Sequence, residues 1–93
     1  MKTIQGFPDY VVETGGHVYS IKRKRYLKPF LVNNRFMTVN LRTGNKTKAR
    51  KVHELVLEAF VGPCPAGCKP IHIDGDRANN KLENLEYMLD KPK

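Results

Sequence analysis

Residues 72–87 read HIDGDRANNKLENLEY, so one histidine stands beside closely spaced aspartate, glycine and asparagine residues. Aspartate and asparagine side chains imitate backbone turns, and glycine adopts positive φ without strain. We therefore expect residues 75–83 to form an ordered polar loop, shaped by Asp74, Gly75 and Asn80. A short strand at residues 71–74 should lead into it. Residues 85–89 after it are either a last strand or the start of a helix, because periodicity does not separate the two.

The segment before this loop has the period of a helix. Apolar residues recur at spacings of three and four, at Val52, Leu55, Val56, Ala59 and Phe60. This is the single apolar stripe of a short helix that packs on a core. Gly62-Pro63 ends the helix, and the proline- and glycine-rich residues 61–70 predict a loop.

Residues 1–51 have the patterns of antiparallel strands. Residues 10–12 and 17–21, joined by Thr14-Gly15-Gly16, predict a hairpin. Residues 36–42 alternate, a turn follows at 43–45, and residues 47–51 continue as a basic strand. Residues 27–31 contain Pro29, which is typical of an edge strand or a connection. The chain is thus predicted to be α+β, one compact domain over residues 1–93 with a β-rich module at 1–51 and a second part at 52–93.

The charge of the chain is concentrated in its first half. The total is +8, but residues 1–53 carry 12 basic and 2 acidic side chains (+10), whereas residues 54–93 carry 5 and 7 (−2). Such a basic footprint favours a nucleic-acid partner over a merely solubilising surface. Apolar runs stay far below the roughly 18 residues of a membrane span. The first ten residues lack the apolar core of a signal peptide, so we expect a cytoplasmic location and no membrane contact.

The two cysteines raise the question of zinc. Cys64 and Cys68 have CxxxC spacing, and His72 follows four residues later. Three soft ligands are typical of a zinc site, but a structural site needs a fourth and a second close cysteine pair is missing. Pro65 and Gly67 favour an ordinary loop, and two cysteines do not define a disulfide framework. We therefore do not expect zinc.

The pattern H-x-D-G-x-x-x-N-N-x-x-x-N-L-x-aromatic of residues 72–87 resembles the HNH endonucleases of phages and group I introns. Residues 52–56 with Ala59-Phe60 resemble the helix that precedes this motif in the family. Residues 4–20 are similar to the N-terminal module of the same proteins. The three blocks occur in the family's order and cover most of residues 4–88, which makes the resemblance more specific than a lone HxDG.

The resemblance implies a ββα-metal (His-Me finger) motif whose first strand ends at His72. His72 would be the general base, because a neutral imidazole accepts a proton from water near neutral pH. Asn84 would hold the loop and orient the histidine. A divalent metal such as Mg²⁺ would polarise the phosphate and stabilise the leaving 3′ oxygen. His53, at the start of the helix, fits capping, packing or phosphate contact better than catalysis.

Two departures from the family concern the metal. Many relatives carry aspartate or asparagine before the base histidine, but this chain has Ile71, which does not bind a hard cation. The family's last helix and its third motif residue have no counterpart after Asn84, so the ββα-metal motif is expected to be truncated. Asp74 and Asp90 are the candidate replacement ligands.

Two kinds of function remain open. One is a metal-dependent DNA endonuclease or nickase, acting in the cytoplasm of a phage-infected or mobile-element host, with a second copy or partner protein completing its site. The other is a degenerate scaffold that binds nucleic acid or acts as a phage-encoded inhibitor. In both DNA-binding cases the partner is double-stranded DNA, held by the basic sheet. The candidate phosphate contacts are Lys22, Arg23, Lys24, Arg25, Lys28, Arg35, Arg42, Lys46, Lys48, Arg50 and Lys51.

Overall fold

A computed structural model describes residues 1–90 of the chain, and within them the fold is α+β, as predicted. Three antiparallel sheets surround one α-helix. In chain order the elements are β1 (Lys2–Ile4), β2 (Phe7–Val12), β3 (Val18–Ser20), β4 (Arg25–Tyr26), β5 (Phe30–Val32), β6 (Phe36–Thr43), β7 (Lys46–Lys51), α1 (Val52–Phe60), β8 (Cys68–His72), a 3-10 turn (Leu82–Asn84) and β9 (Leu85–Leu89).

The first sheet has the order β1-β2-β3-β4, and its centre is the predicted hairpin. Tyr10 pairs with Ser20 and Val12 with Val18, so β2 and β3 run antiparallel in register. These four side chains are buried. Because alternate residues of a strand share a face, this register turns one face of the hairpin into the core.

The second sheet has the order β5-β6-β7 and also follows the sequence patterns. Asn33 and Asn34 both adopt positive φ, 54° and 56°, in the turn between β5 and β6. Asparagine tolerates this region better than other residues with a side chain. On β6, Val39 and Leu41 are buried. Strand β5, directly after Pro29, is an exposed edge, in agreement with the proline signal.

Helix α1 begins directly after β7 and lies against the core. Val52, Leu55 and Val56 of the predicted stripe are buried, and so are His53 and Leu57. The core combines residues of both halves of the chain, from Ile4 on β1 to Leu85 on β9. Within residues 1–90, no helix is long and apolar enough to cross a membrane.

The third sheet is the hairpin β8-β9, which carries the motif histidine at its end. The predicted bounds of its first strand are wrong: β8 starts at Cys68, inside the predicted loop, and ends at His72, before Ile73 and Asp74. Pairing with β9 makes residues 68–70 extended, whereas Ile73 and Asp74 enter a turn in which Gly75 N donates to His72 O at 2.9 Å. Residues 85–89 form the strand β9, the first of the two alternatives.

Candidate active site

His72 lies at the end of β8, where strand pairing with Leu85 fixes its backbone. Its side chain is 9% exposed. The imidazole Nε2 lies 2.7 Å from Asn80 Oδ1. A carboxamide oxygen only accepts hydrogen bonds, so Nε2 carries the proton in this pair. In the neutral imidazole Nδ1 is then the unprotonated nitrogen and the one that can accept a further proton.

The loop after His72 is held by a network around Asn84, the predicted loop-holding residue. Asn84 Oδ1 accepts from Asp74 N at 3.0 Å, and Asn84 Nδ2 donates to Asp74 Oδ1 and to Asn79 O, both at 2.9 Å. Asp74 Oδ2 accepts from Asn79 Nδ2 at 2.9 Å. The hydrogen bond from Asn79, with those from the Asp76 backbone and Asn84, lowers the pKa of the Asp74 carboxyl. Asp74 and Gly75 thus shape the loop.

The side chain that hydrogen-bonds the His72 ring is not the one that the resemblance implied. The resemblance assigned the orientation of the histidine to Asn84, but the amide within hydrogen-bond distance of the ring is that of Asn80. Asn84 acts one step away, because it braces the loop from which Asn80 projects. The adjacent pair Asn79-Asn80 signalled a turn, but nothing in it separated the residue that bonds Asp74 from the one that bonds His72.

A stack of rings covers His72 on the side of the second sheet. The rings of His53 and His72 lie 4.7 Å apart, and Phe36 lies 4.9 Å from His53 and 6.2 Å from His72. His53 is 3% exposed. Burial, followed by the charges of His72 and Lys51, lowers the pKa of His53 from 6.5 to about 4. His53 is therefore neutral near pH 7 and packs against His72, the packing alternative among its predicted roles.

Two cations flank this stack. Lys51 Nζ lies 4.9 Å from the centre of the Phe36 ring, and the Arg77 guanidinium carbon lies 5.0 Å from it. Both distances are those of cation–π contacts. Lys51 was a predicted phosphate contact, whereas Arg77 and Phe36 were not predicted. A basic residue inside the motif loop was the available signal for Arg77. Phe36 had none, because it is remote from His72 in sequence.

The turn between β2 and β3 packs directly against Asn80, the residue that hydrogen-bonds His72. Gly16 has φ +88°, and a Cβ at this position would lie 2.6 Å from the backbone oxygen of Asn80. Next to this contact, Leu82 N donates to Thr14 O at 2.7 Å. Glycine is needed at position 16 for both its backbone conformation and this close approach. The N-terminal hairpin therefore supports the residue that bonds His72.

The candidate metal ligands do not converge at His72. Among residues 1–90, no three histidine, cysteine, aspartate or glutamate side chains lie close enough to hold a metal ion together. Asp90 N bonds Gly67 O, and Asp90 follows Leu89, which pairs with Cys68 at the other end of β8, about 13 Å along the strand from His72. The same separation keeps Cys68 away from His72. Asp74 uses both carboxylate oxygens within the loop, and Ile71 offers no ligand atom. The donor set of these residues therefore does not fit a divalent metal.

The predicted phosphate contacts are exposed with one exception. Arg50 is half-buried, and its Nη2 bonds Glu58 Oε2 on α1 at 2.8 Å. Lys48 and Arg50 pair with Leu41 and Val39, so both project from the core side of the sheet. They share a face, but the ion pair with Glu58 occupies the Arg50 guanidinium. The exposed set is Lys22, Arg23, Lys24, Arg25, Lys28, Arg35, Arg42, Lys46, Lys48 and Lys51.

The chain is similar in sequence to HNH endonucleases. The model of a family described as HNH endonuclease matches residues 50–90. HNH endonuclease L247 of Acanthamoeba polyphaga mimivirus is 37% identical over 87 residues, which are 92% of this chain and 22% of that protein. DNA endonuclease I-HmuI of Bacillus phage SP01 is 34% identical over 91 residues, which are 97% of this chain and 52% of that protein.

A solved structure agrees with the sequence comparison. The structure titled "DNA binding and cleavage by the HNH homing endonuclease I-HmuI" superposes with a TM-score of 0.87 at 34% identity. The match covers 95% of this chain and 51% of the other. The similarity thus includes the N-terminal sheets as well as the motif loop. The chain spans about half the length of I-HmuI and about a fifth of L247.

Proposed function

Since this chain belongs to the HNH endonuclease family, we propose that it hydrolyses phosphodiester bonds of double-stranded DNA, with His72 as the general base. One observation carries the proposal: the contact between His72 Nε2 and Asn80 Oδ1 at 2.7 Å. With Asn80 Oδ1 as the acceptor, this contact favours the tautomer whose Nδ1 accepts a proton. A base held in one tautomer and one orientation is the arrangement that general-base catalysis needs.

In the proposed reaction a water molecule attacks the phosphorus atom. His72 Nδ1 takes a proton from this water as its oxygen bonds to phosphorus. The bond from phosphorus to the 3′ oxygen breaks, and the leaving oxygen takes a proton from solvent. Lys51 and Arg77, both within 5.0 Å of the Phe36 ring centre, place positive charge beside the stack for the phosphate. His53 is neutral near pH 7, so it covers His72 without competing for the proton.

Nucleases of this family generally use a divalent metal ion such as Mg²⁺, which polarises the phosphate and stabilises the leaving oxygen. Residues 1–90 do not offer a fitting set of ligands, as Ile71 and the distant Asp90 illustrate. The steps above therefore rest on His72, Lys51 and Arg77 alone. We propose the exposed basic residues of the first two sheets as contacts to phosphates farther along the duplex.

Plasmid nicking tests the proposal. Wild type, His72→Ala and His17→Ala are incubated with supercoiled DNA in Mg²⁺, in Mn²⁺ and in chelator. His17 is an exposed histidine directly before β3, so its variant controls for the loss of an imidazole. We expect nicking by wild type and His17→Ala and none by His72→Ala. Equal nicking by all three proteins would remove His72 from the mechanism. Nicking that persists in chelator would show that no metal is needed.

A second candidate function is a nucleic-acid-binding scaffold that does not cut. The observation that favours it is the missing ligand set around His72 in residues 1–90, with Ile71 at the usual ligand position. Its signature is a wild-type protein that binds duplex DNA but does not nick it. A wild-type protein that neither binds nor nicks DNA would instead favour an inhibitor that docks on another protein. A nicking rate that rises with the square of the protein concentration would indicate a second copy completing the site.

A further inference from the structure

A basic cleft lies on the first two sheets, away from His72. It is formed by β2, the turn after β3 and the last residues of β6, and it encloses about 260 Å³. Three cationic residues line it, Lys22, Arg23 and Arg42, with a single carboxylate residue, Asp9. Within residues 1–90, none of these four side chains forms an ion pair. The cleft thus has a net charge of +2 that the described residues leave uncompensated.

The walls of the cleft are fixed by hydrogen bonds. Ser20, 2% exposed, accepts from Arg23 N through its Oγ at 3.1 Å and from Lys24 N through its backbone oxygen at 2.8 Å. On the other side, Tyr10 Oη accepts from Arg42 N at 3.1 Å. Both arginines therefore project from backbone that is tied to the floor of the cleft. Such preorganisation reduces the entropy that a ligand must remove on binding.

The floor also offers a hydrogen-bond donor. Tyr10 is 8% exposed, and its hydroxyl uses a lone pair for Arg42 N, so the O–H proton is left to donate. An adjoining cleft of about 220 Å³ shares Tyr10, Arg23 and Arg42 and continues past the neutral side chains of Asn40 and Thr47. The cationic residues lie at one end of this longer groove, and its remaining length is uncharged. This arrangement suits an anionic group of a polymer better than a small free anion.

We propose that this cleft binds one backbone phosphate of duplex DNA, an inference that rests on the proposed DNA-cutting function. Guanidinium groups bind phosphate oxygens through paired, charge-assisted hydrogen bonds, and two arginines line this cleft. Arg23 and Arg42 hold the phosphate from opposite walls, Lys22 adds charge at the rim, and Tyr10 donates from below. Free inorganic phosphate has the same chemistry, so the test separates it from DNA.

The fold sets the distance between this cleft and His72. Phe36, at the start of β6, contacts the ring stack over His72, and Arg42 lies six residues farther along the same strand. At roughly 3.3 Å per residue the separation is about 20 Å. Successive base pairs of a duplex rise by about 3.4 Å, so 20 Å corresponds to about six base pairs. On a duplex that runs along β6, the cleft would hold a phosphate about six base pairs from the bond that His72 attacks.

Duplex binding is measured in a His72→Ala background, so that the DNA stays intact. The test variant carries Arg23→Gln and Arg42→Gln. The matched control carries Lys2→Gln and Lys69→Gln, the same loss of two charges at exposed positions outside the cleft. We expect the test variant to bind at least about tenfold more weakly and its slope of log affinity against log salt to become shallower by about 1. The control should change both quantities much less.

Single uncharged methylphosphonate links then locate the phosphate. One link about six base pairs from the nick should weaken binding of the unmutated cleft and leave the double-arginine variant unchanged. Equal affinity losses in the test and control variants would overturn the cleft assignment. So would a methylphosphonate link that still weakens binding of the double-arginine variant. Neither outcome would contradict duplex binding itself. If inorganic phosphate shifts the amide resonances of Arg23 and Arg42 but duplex does not bind, the DNA assignment and the proposed function both fail.

Discussion

Replacing Gly16 by alanine tests whether the N-terminal hairpin positions His72. The added Cβ would lie 2.6 Å from the backbone oxygen of Asn80, 2.8 Å from its carbonyl carbon and 2.9 Å from its Cβ. None of these atoms belongs to the end of a flexible side chain. Since Asn80 Oδ1 bonds His72 Nε2, any displacement of Asn80 moves the group that fixes the imidazole.

The size of the effect follows from these distances. Ordinary contacts begin near 3.4 Å, so the hairpin and Asn80 must separate by about 0.8 Å. A misplacement of this order in a catalytic group lowers rates by about 100-fold. Independently, alanine at φ +88° costs roughly 1–2 kcal/mol of stability. We therefore expect a large loss of nicking with a modest loss of stability.

The matched control is Gly6→Ala. Gly6 has φ +85°, nearly that of Gly16, but a Cβ there meets nothing within 4 Å. Both variants place alanine at a positive φ, and Gly16→Ala adds the clash with Asn80, so it should lose more stability in urea unfolding than Gly6→Ala. Only Gly16→Ala should lose plasmid nicking. Nitrogen chemical shifts of the His72 ring provide a readout that does not need activity: Gly16→Ala should lose the fixed Nε2–H tautomer. Equal nicking by the two variants, or an unchanged His72 ring in Gly16→Ala, would refute the reasoning.

Lowering the pH from 7 to 5 should reduce the unfolding free energy by about 2 kcal/mol through His53. Its pKa is lowered from 6.5 to about 4 in the fold, so the unfolded chain takes the proton first and stability falls as the pH drops through 6.5 towards 4; equal pH dependence of wild type and His53→Phe in urea would contradict this. Asn84→Ala removes three hydrogen bonds and should cost about 2–4 kcal/mol in thermal unfolding, whereas a loss below 1 kcal/mol would mean that water replaces them. Leu57→Ala, fully buried, should cost about 2–5 kcal/mol, against about 0.5 kcal/mol for Val61→Ala, and similar losses would place Leu57 outside the core.

The elements that the sequence predicted correctly are those with a local cause. Helix α1 has an apolar stripe of its own, and β6 alternates apolar and polar residues from Met37 to Arg42. The turn between β6 and β7 lies within the predicted residues 43–45, and Gly44 adopts a positive φ of 59° there. In each case the residues that produce the structure are neighbours in the chain, so pattern and propensity sufficed.

The start of β8 could not be predicted for the opposite reason. Cys68, Lys69 and Pro70 have neither alternation nor strand propensity, and a proline-rich loop precedes them. They are extended because β9 pairs with them, Pro70 opposite Tyr87 and Cys68 opposite Leu89. A strand whose cause lies in a partner some twenty residues away has no signature in its own sequence.

The residues of the candidate site also divide into those with a local sequence pattern and those brought in by long-range packing. The motif predicted His72 as a site residue, and its turn chemistry predicted that Asp74 and Gly75 shape the loop after it. The contacts that act on the histidine from outside the motif, from Gly16, Phe36 and His53, come from remote parts of the chain. Only packing brings these residues together. His53 is buried by that packing, so its lowered pKa could not be predicted from the sequence either.

These remote contacts bear on which part of the chain forms the working unit. The family match begins at residue 50, but the segment that presses on Asn80 is the turn at Gly16, and the ring stack begins at Phe36 on β6. Strand β6 runs from Phe36, whose ring packs near His72, to Arg42 in the basic cleft. We infer that residues 1–51 are no separate DNA-binding arm. Under the proposed function, they would hold His72 in position and fix its distance from the proposed phosphate site.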